Sequence, residues 1–75
     1  MDITNNITNI EYADSYLRFL GKVVSVTVNY RNKPIRGRLI RLSPEYLEIE
    51  RFDGTINTIT RKAVLNINNA REKVI

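Results

Sequence analysis

The sequence predicts an all-β fold: a small, strongly bent, five-stranded antiparallel barrel preceded by an N-terminal α-helix. Three observations predict it. Between residues 20 and 67 apolar and polar residues alternate in five short runs, as strands do when one face is buried. Compact turn signals separate the runs: residues 29–34, Ser43-Pro44-Glu45, Asp53-Gly54 and Arg61-Lys62. Within the second run Gly37 is followed by a slip in the alternation, which marks a bulge or a sharp bend.

The helix is expected over residues 9–20. Thr8 followed by Glu11 fits a capping box, in which the hydroxyl and the carboxylate each satisfy an exposed backbone amide. Ile10, Ala13, Tyr16, Leu17 and Leu20 recur at helical spacing and make one apolar stripe. Asp14 in an early turn and Arg18 in the last suit the helix dipole. Gly21 can take the left-handed conformation that ends a helix.

The first strand is expected over residues 22–28, with Val24, Val26 and Val28 on one face and Val23, Ser25 and Thr27 on the other. The second spans residues 35–42. Ile35, Gly37 and Leu39 share its inner face and Arg36 and Arg38 its outer one, and the pattern slips at Ile40-Arg41-Leu42. Such a bend lets one strand serve both halves of a curled sheet. The third strand, residues 46–51, turns Leu47 and Ile49 inward and Glu48 and Glu50 outward. Asp53-Gly54 is a strong hairpin signal. Residues 55–60 and 63–67 form the fourth and fifth strands on either side of the basic Arg61-Lys62 turn. The core should contain Val26, Leu39, Leu47, Ile49 and Val64. The chain divides into a tail (residues 1–7), one barrel domain (8–68) and a polar tail (69–75).

A 75-residue chain buries only about 60% of its unfolded surface, so its core alone gives marginal stability. There are no cysteines and no histidines, which removes disulfides and the common zinc sites. Self-association is then the expected source of added stability. No signal-peptide pattern opens the chain, and no apolar run is long enough to span a bilayer. A cytoplasmic protein with no membrane partner is expected. Without His or Cys, catalysis would need paired carboxylates or a lysine nucleophile. The acids fall on solvent-facing strand positions and turns, so no enzyme activity, catalytic residue, metal or cofactor is expected.

The net charge of +4 is unevenly placed. Residues 18–41 carry Arg18, Lys22, Arg31, Lys33, Arg36, Arg38 and Arg41 and no acid. Such a block suits a polyanion, most often nucleic acid. A solvated face whose arginines pair with the glutamates of the next strand is the other reading. Arg36 and Arg38 can track phosphates, or a hairpin through Ser43-Pro44-Glu45 can set Arg38 and Arg41 beside Glu48 and Glu50. Arg61 and Lys62 are a surface turn or a binding loop. Tyr30, beside Arg31 in a turn, is the best placed of the tyrosines to stack on a base.

Two stretches resemble the motifs of the Sm-like family, which includes Lsm proteins, archaeal Sm-like proteins and bacterial Hfq. Gly37-Arg38-Leu39-Ile40-Arg41-Leu42-Ser43 is similar to G-x-L-x-x-[F]-D. Arg61-Lys62-Ala63-Val64-Leu65-Asn66-Ile67 is similar to Hfq's basic pair followed by A-I-x-x-[IV]. The resemblance runs from the helix to Ile67. It implies a homo-hexameric or homo-heptameric ring, closed by pairing the fourth strand of one subunit with the fifth of the next. It also implies binding of single-stranded RNA around the pore by Ser43, Glu45, Arg61 and Lys62; the charge and tyrosine readings add Tyr30, Arg31, Arg36 and Arg38 as a basic surface outside. The chain departs from the family at the base pocket. Ser43 replaces the loop aspartate, Glu45 the stacking residue and Leu47 the base-reading asparagine; Thr60 stands where the Sm arginine does. A uridine pocket needs a stacking plane and paired donors and acceptors, so the implied binding is mainly electrostatic and weakly selective. Other small barrels, including the PRC type, share part of this patterning. A protein-interaction barrel and a monomeric basic DNA-binding barrel are the alternatives.

Overall fold

The computed structural model describes residues 15–71. A short 3-10 turn (Leu17–Phe19) leads into β1 (Val23–Val28), β2 (Ile35–Leu42), β3 (Tyr46–Glu50) and β4 (Ile56–Thr60). A second 3-10 turn (Arg61–Ala63) then leads into β5 (Val64–Asn69). All neighbouring strands are antiparallel, in the order β4-β3-β2-β1-β5. The all-β class and the five strands are as the sequence predicts. In this order the sheet is open, with β4 and β5 as its two edges.

Most of the helix expected over residues 9–20 lies outside the described residues. Its described end is not α-helical: a turn at Ser15 and Tyr16 precedes the 3-10 segment. The tighter winding places about three residues per turn, and this changes which side chain faces the core. Phe19 is buried, while Leu17 and Leu20 of the expected stripe are exposed. Gly21 takes a left-handed φ of 83°, and its amide donates to the Leu39 carbonyl at 2.7 Å. The segment is thereby tied to the middle of β2.

The slip in the alternation of β2 has a visible cause. Pairing with β3 runs Arg38 to Glu50 and Leu39 to Ile49, then skips to Arg41 opposite Glu48 and Leu42 opposite Leu47. Ile40 is the extra residue, and the bulge shifts the alternation as the slip in the sequence predicts. At Gly37 the Glu50 backbone of β3 folds close over the α-carbon, leaving no room for a side chain.

The inner face collects the core: Phe19, Val24, Val26, Val28, Ile35, Leu39, Leu47, Ile49 and Ile59. Tyr16, Leu42, Val64 and Ile67 pack against it, half-buried. Of the expected core, only Val64 is less than fully enclosed, because it starts the edge strand β5.

The β3–β4 hairpin follows its Asp-Gly signal. Gly54 has a φ of 92°, and its amide donates to the Arg51 carbonyl at 2.9 Å. One carboxylate oxygen of Asp53 accepts from the Thr55 amide and hydroxyl at 3.0 and 2.7 Å. The Thr55 amide, then its hydroxyl, hold the Asp53 carboxyl below its ordinary 3.8. A depressed carboxyl stabilises the fold above its ordinary value, and the contribution is lost as pH falls through the lower, folded value.

β5 runs further than its apolar pattern. Asn68 and Asn69 pair with Ser25 and Val24, and the Ala70 amide donates to the Val23 carbonyl at 2.9 Å.

Candidate nucleic-acid interface

The two loops singled out by the sequence lie against each other. Thr60 closes β4 opposite Tyr46, so the Ser43-Pro44-Glu45 loop before β3 meets the Arg61–Ala63 turn after β4. The Arg61 amide donates to the Glu45 carbonyl at 2.9 Å, and the Thr60 hydroxyl reaches the same oxygen at 3.4 Å. Arg61 Nε donates to the Ser43 carbonyl at 2.7 Å. The Arg61 guanidinium also lies over the Tyr16 ring, 5.2 Å from its centroid. That contact sets a cation against the ring's negative face.

Ser43 and Arg61 therefore bind the loops to one another. The Ser43 amide and hydroxyl both donate to the Tyr46 carbonyl, at 2.9 and 3.1 Å, closing the loop. The Arg61 side chain, half-buried, spans the Ser43 loop and the Tyr16 ring. Glu45 and Lys62 are exposed on the rim. Leu47 is fully buried between Leu42 and Ile59, so it contributes to packing and offers nothing to a base edge.

The turn is anchored on its other side as well. The Asn29 amide donates to the Ala63 carbonyl at 2.9 Å, which brings the β1–β2 turn to the same rim. Tyr30 and Arg31 belong to that turn, and both are exposed. Two groups that the sequence treats separately, the Arg61-Lys62 turn and the Tyr30-Arg31 turn, thus become neighbours. No local pattern could foretell this, because the link is a backbone hydrogen bond between distant segments. The Arg61–Tyr16 contact joins side chains likewise far apart in the sequence, so local patterning does not show it either.

Arg36 and Arg38 lie on the outer face of β2. Arg38 stands opposite Glu50 on β3, and its guanidinium donates to the Gly21 carbonyl at 2.6 Å. Arg41 meets Glu48 at 4.0 Å, with the arginine mostly exposed. Exposed pairs of this kind contribute about 0.2–1 kcal/mol. The acidic column of β3 thus covers the far half of the arginine row. Arg36 pairs with Ser25 on β1, next to the β1–β2 turn that carries Arg31 and Lys33.

Among the described residues, no cluster of acids, His or Cys is suited to a metal, and no helix is long and apolar enough to cross a membrane. Comparison of the chain with protein-family models, curated proteins and solved structures returned no match.

Proposed function

We propose that this chain is an RNA-binding protein of the Sm-like type: a homo-hexameric or homo-heptameric ring that serves as an RNA chaperone or scaffold in the cytoplasm. In this reading the bent sheet curls into a barrel beneath an N-terminal helix. The observation that carries the reading is the joining of the β2–β3 loop to the β4–β5 turn through Arg61, with Lys62 exposed at its apex. A cationic turn held at a fixed place suits phosphate contact, and ring symmetry would repeat it around a pore, where avidity strengthens each weak contact. The open edges β4 and β5 supply the surfaces for closure. Each edge presents backbone groups to a second copy, and each carries an exposed apolar residue, Ile56 on β4 and Leu65 on β5.

With Leu47 in the core and Glu45 on the rim, nothing there reads a base. Affinity rests on Lys62, Arg31, Arg36 and the neighbouring cations. Binding of labelled oligo-U and oligo-A should weaken steeply with salt, with a log–log slope near −0.7 per phosphate contact. The two affinities should lie within about tenfold. Lys62→Ala should weaken both and flatten the slope. Arg61→Ala is the less informative variant, since it also releases the Ser43 loop. Fluorescence anisotropy across a salt series measures all of these. Strong U-selectivity that persists at high salt would overturn the electrostatic mode. Absence of binding at low salt would overturn RNA binding and favour a protein scaffold.

A further inference from the structure

Tyr30 stands apart from the other described tyrosines. Tyr16 packs on the core and carries the Arg61 guanidinium, and Tyr46 is half-buried in β3. Tyr30 is 58% exposed, in a turn whose other members include Arg31 and Lys33. The turn is fixed at its root. Asn29 is bonded to Ala63, and Val28 pairs with Val64 just before it. At its far end Pro34 restricts the chain before β2 begins. The Asn29–Ala63 bond has Tyr30 one residue beyond it on one side and Lys62 one residue before it on the other. Standard bond lengths then hold the α-carbons of Tyr30 and Lys62 within about 15 Å. Stacked nucleotides rise roughly 3.4 Å each, so a few of them cover that distance.

We propose that Tyr30 and Lys62 form one subsite for single-stranded nucleic acid, in which the Tyr30 ring stacks on a base while Lys62 and Arg31 hold adjacent phosphates. This rests on the RNA-binding reading above and supplies the stacking plane that Glu45 cannot. An aromatic ring accepts any base, because every base has a π face, so the subsite adds affinity without adding sequence preference. Its anchored root means that little ordering is needed on binding.

The test compares oligo-A with an abasic oligonucleotide of equal length and charge, against the wild-type chain, Tyr30→Ala, Tyr30→Leu, Tyr30→Phe and Lys62→Ala. The wild type should bind oligo-A roughly tenfold more tightly than the abasic strand. Tyr30→Ala and Tyr30→Leu should remove that preference while leaving abasic affinity and the salt slope unchanged; Tyr30→Phe should retain it. Lys62→Ala should weaken binding to both strands equally. Tyr30 lies in solvent, so the melting midpoints of its variants should match the wild type and exclude a folding effect. If the preference for oligo-A survives in both Tyr30→Ala and Tyr30→Leu, or the wild type shows none, the subsite is overturned while charge-driven RNA binding stands. If the wild type binds neither strand at low salt, both readings fall.

Discussion

Replacing Gly37 by alanine is expected to destabilise the fold by about 1–3 kcal/mol, the usual cost of overfilling a packed interior. The sign is what makes the experiment sharp. Gly37 does not have a left-handed φ, and at a permissive site Gly→Ala stabilises by about 0.4–1 kcal/mol through the unfolded chain. Here a Cβ would fall 2.9 Å from the Glu50 carbonyl carbon and from Ile49 Cγ2, and closer still to the Glu50 oxygen. Backbone cannot rotate aside as a flexible side chain can. β3 would have to lift from β2 where Arg38 pairs with Glu50, next to the bulge at Ile40. Urea unfolding of Gly37→Ala at fixed protein concentration measures the effect. A midpoint at or above the wild-type value would mean that β3 does not press on this position.

Leu39→Ala is expected to cost roughly 2–5 kcal/mol. Leu39 is fully enclosed, pairs with Ile49 and precedes the bulge, and its backbone carbonyl and amide are bonded to Gly21 and Lys22. Truncation leaves a cavity that the bonded backbone cannot collapse to fill. Small domains shift their melting point by about 4–8 °C per kcal/mol, so a drop of roughly 8 °C or more should appear by circular dichroism. An unmoved midpoint would mean that the inward register of β2 is wrong.

Much of the sheet was legible because its pattern is local. The β2 boundaries, the slip after Leu39 and the Arg41–Glu48 pairing follow from alternation and one turn. Asp53-Gly54 names its own hairpin. The misses have physical reasons too. Leu17 and Leu20 fit a helical stripe, but 3-10 winding turned Phe19 inward instead. Asn68 and Asn69 have poor strand propensity; pairing with β1 overrides it. Within the candidate site, charge and turn chemistry pointed to Lys62 and Arg61. The division of labour between them was not legible: Arg61 is bound to Ser43 and Tyr16, while Lys62 stands on the rim. That division depends on contacts between segments far apart in the chain.

Solution mass by light scattering, with and without a single-stranded RNA oligonucleotide at low salt, tests the central claim most directly. The expected mass is six or seven times the 8.7 kDa chain mass without RNA, rising by the mass of bound oligonucleotide when it is added. A particle that stays at one chain mass at roughly tens of micromolar, with or without RNA, would contradict the ring.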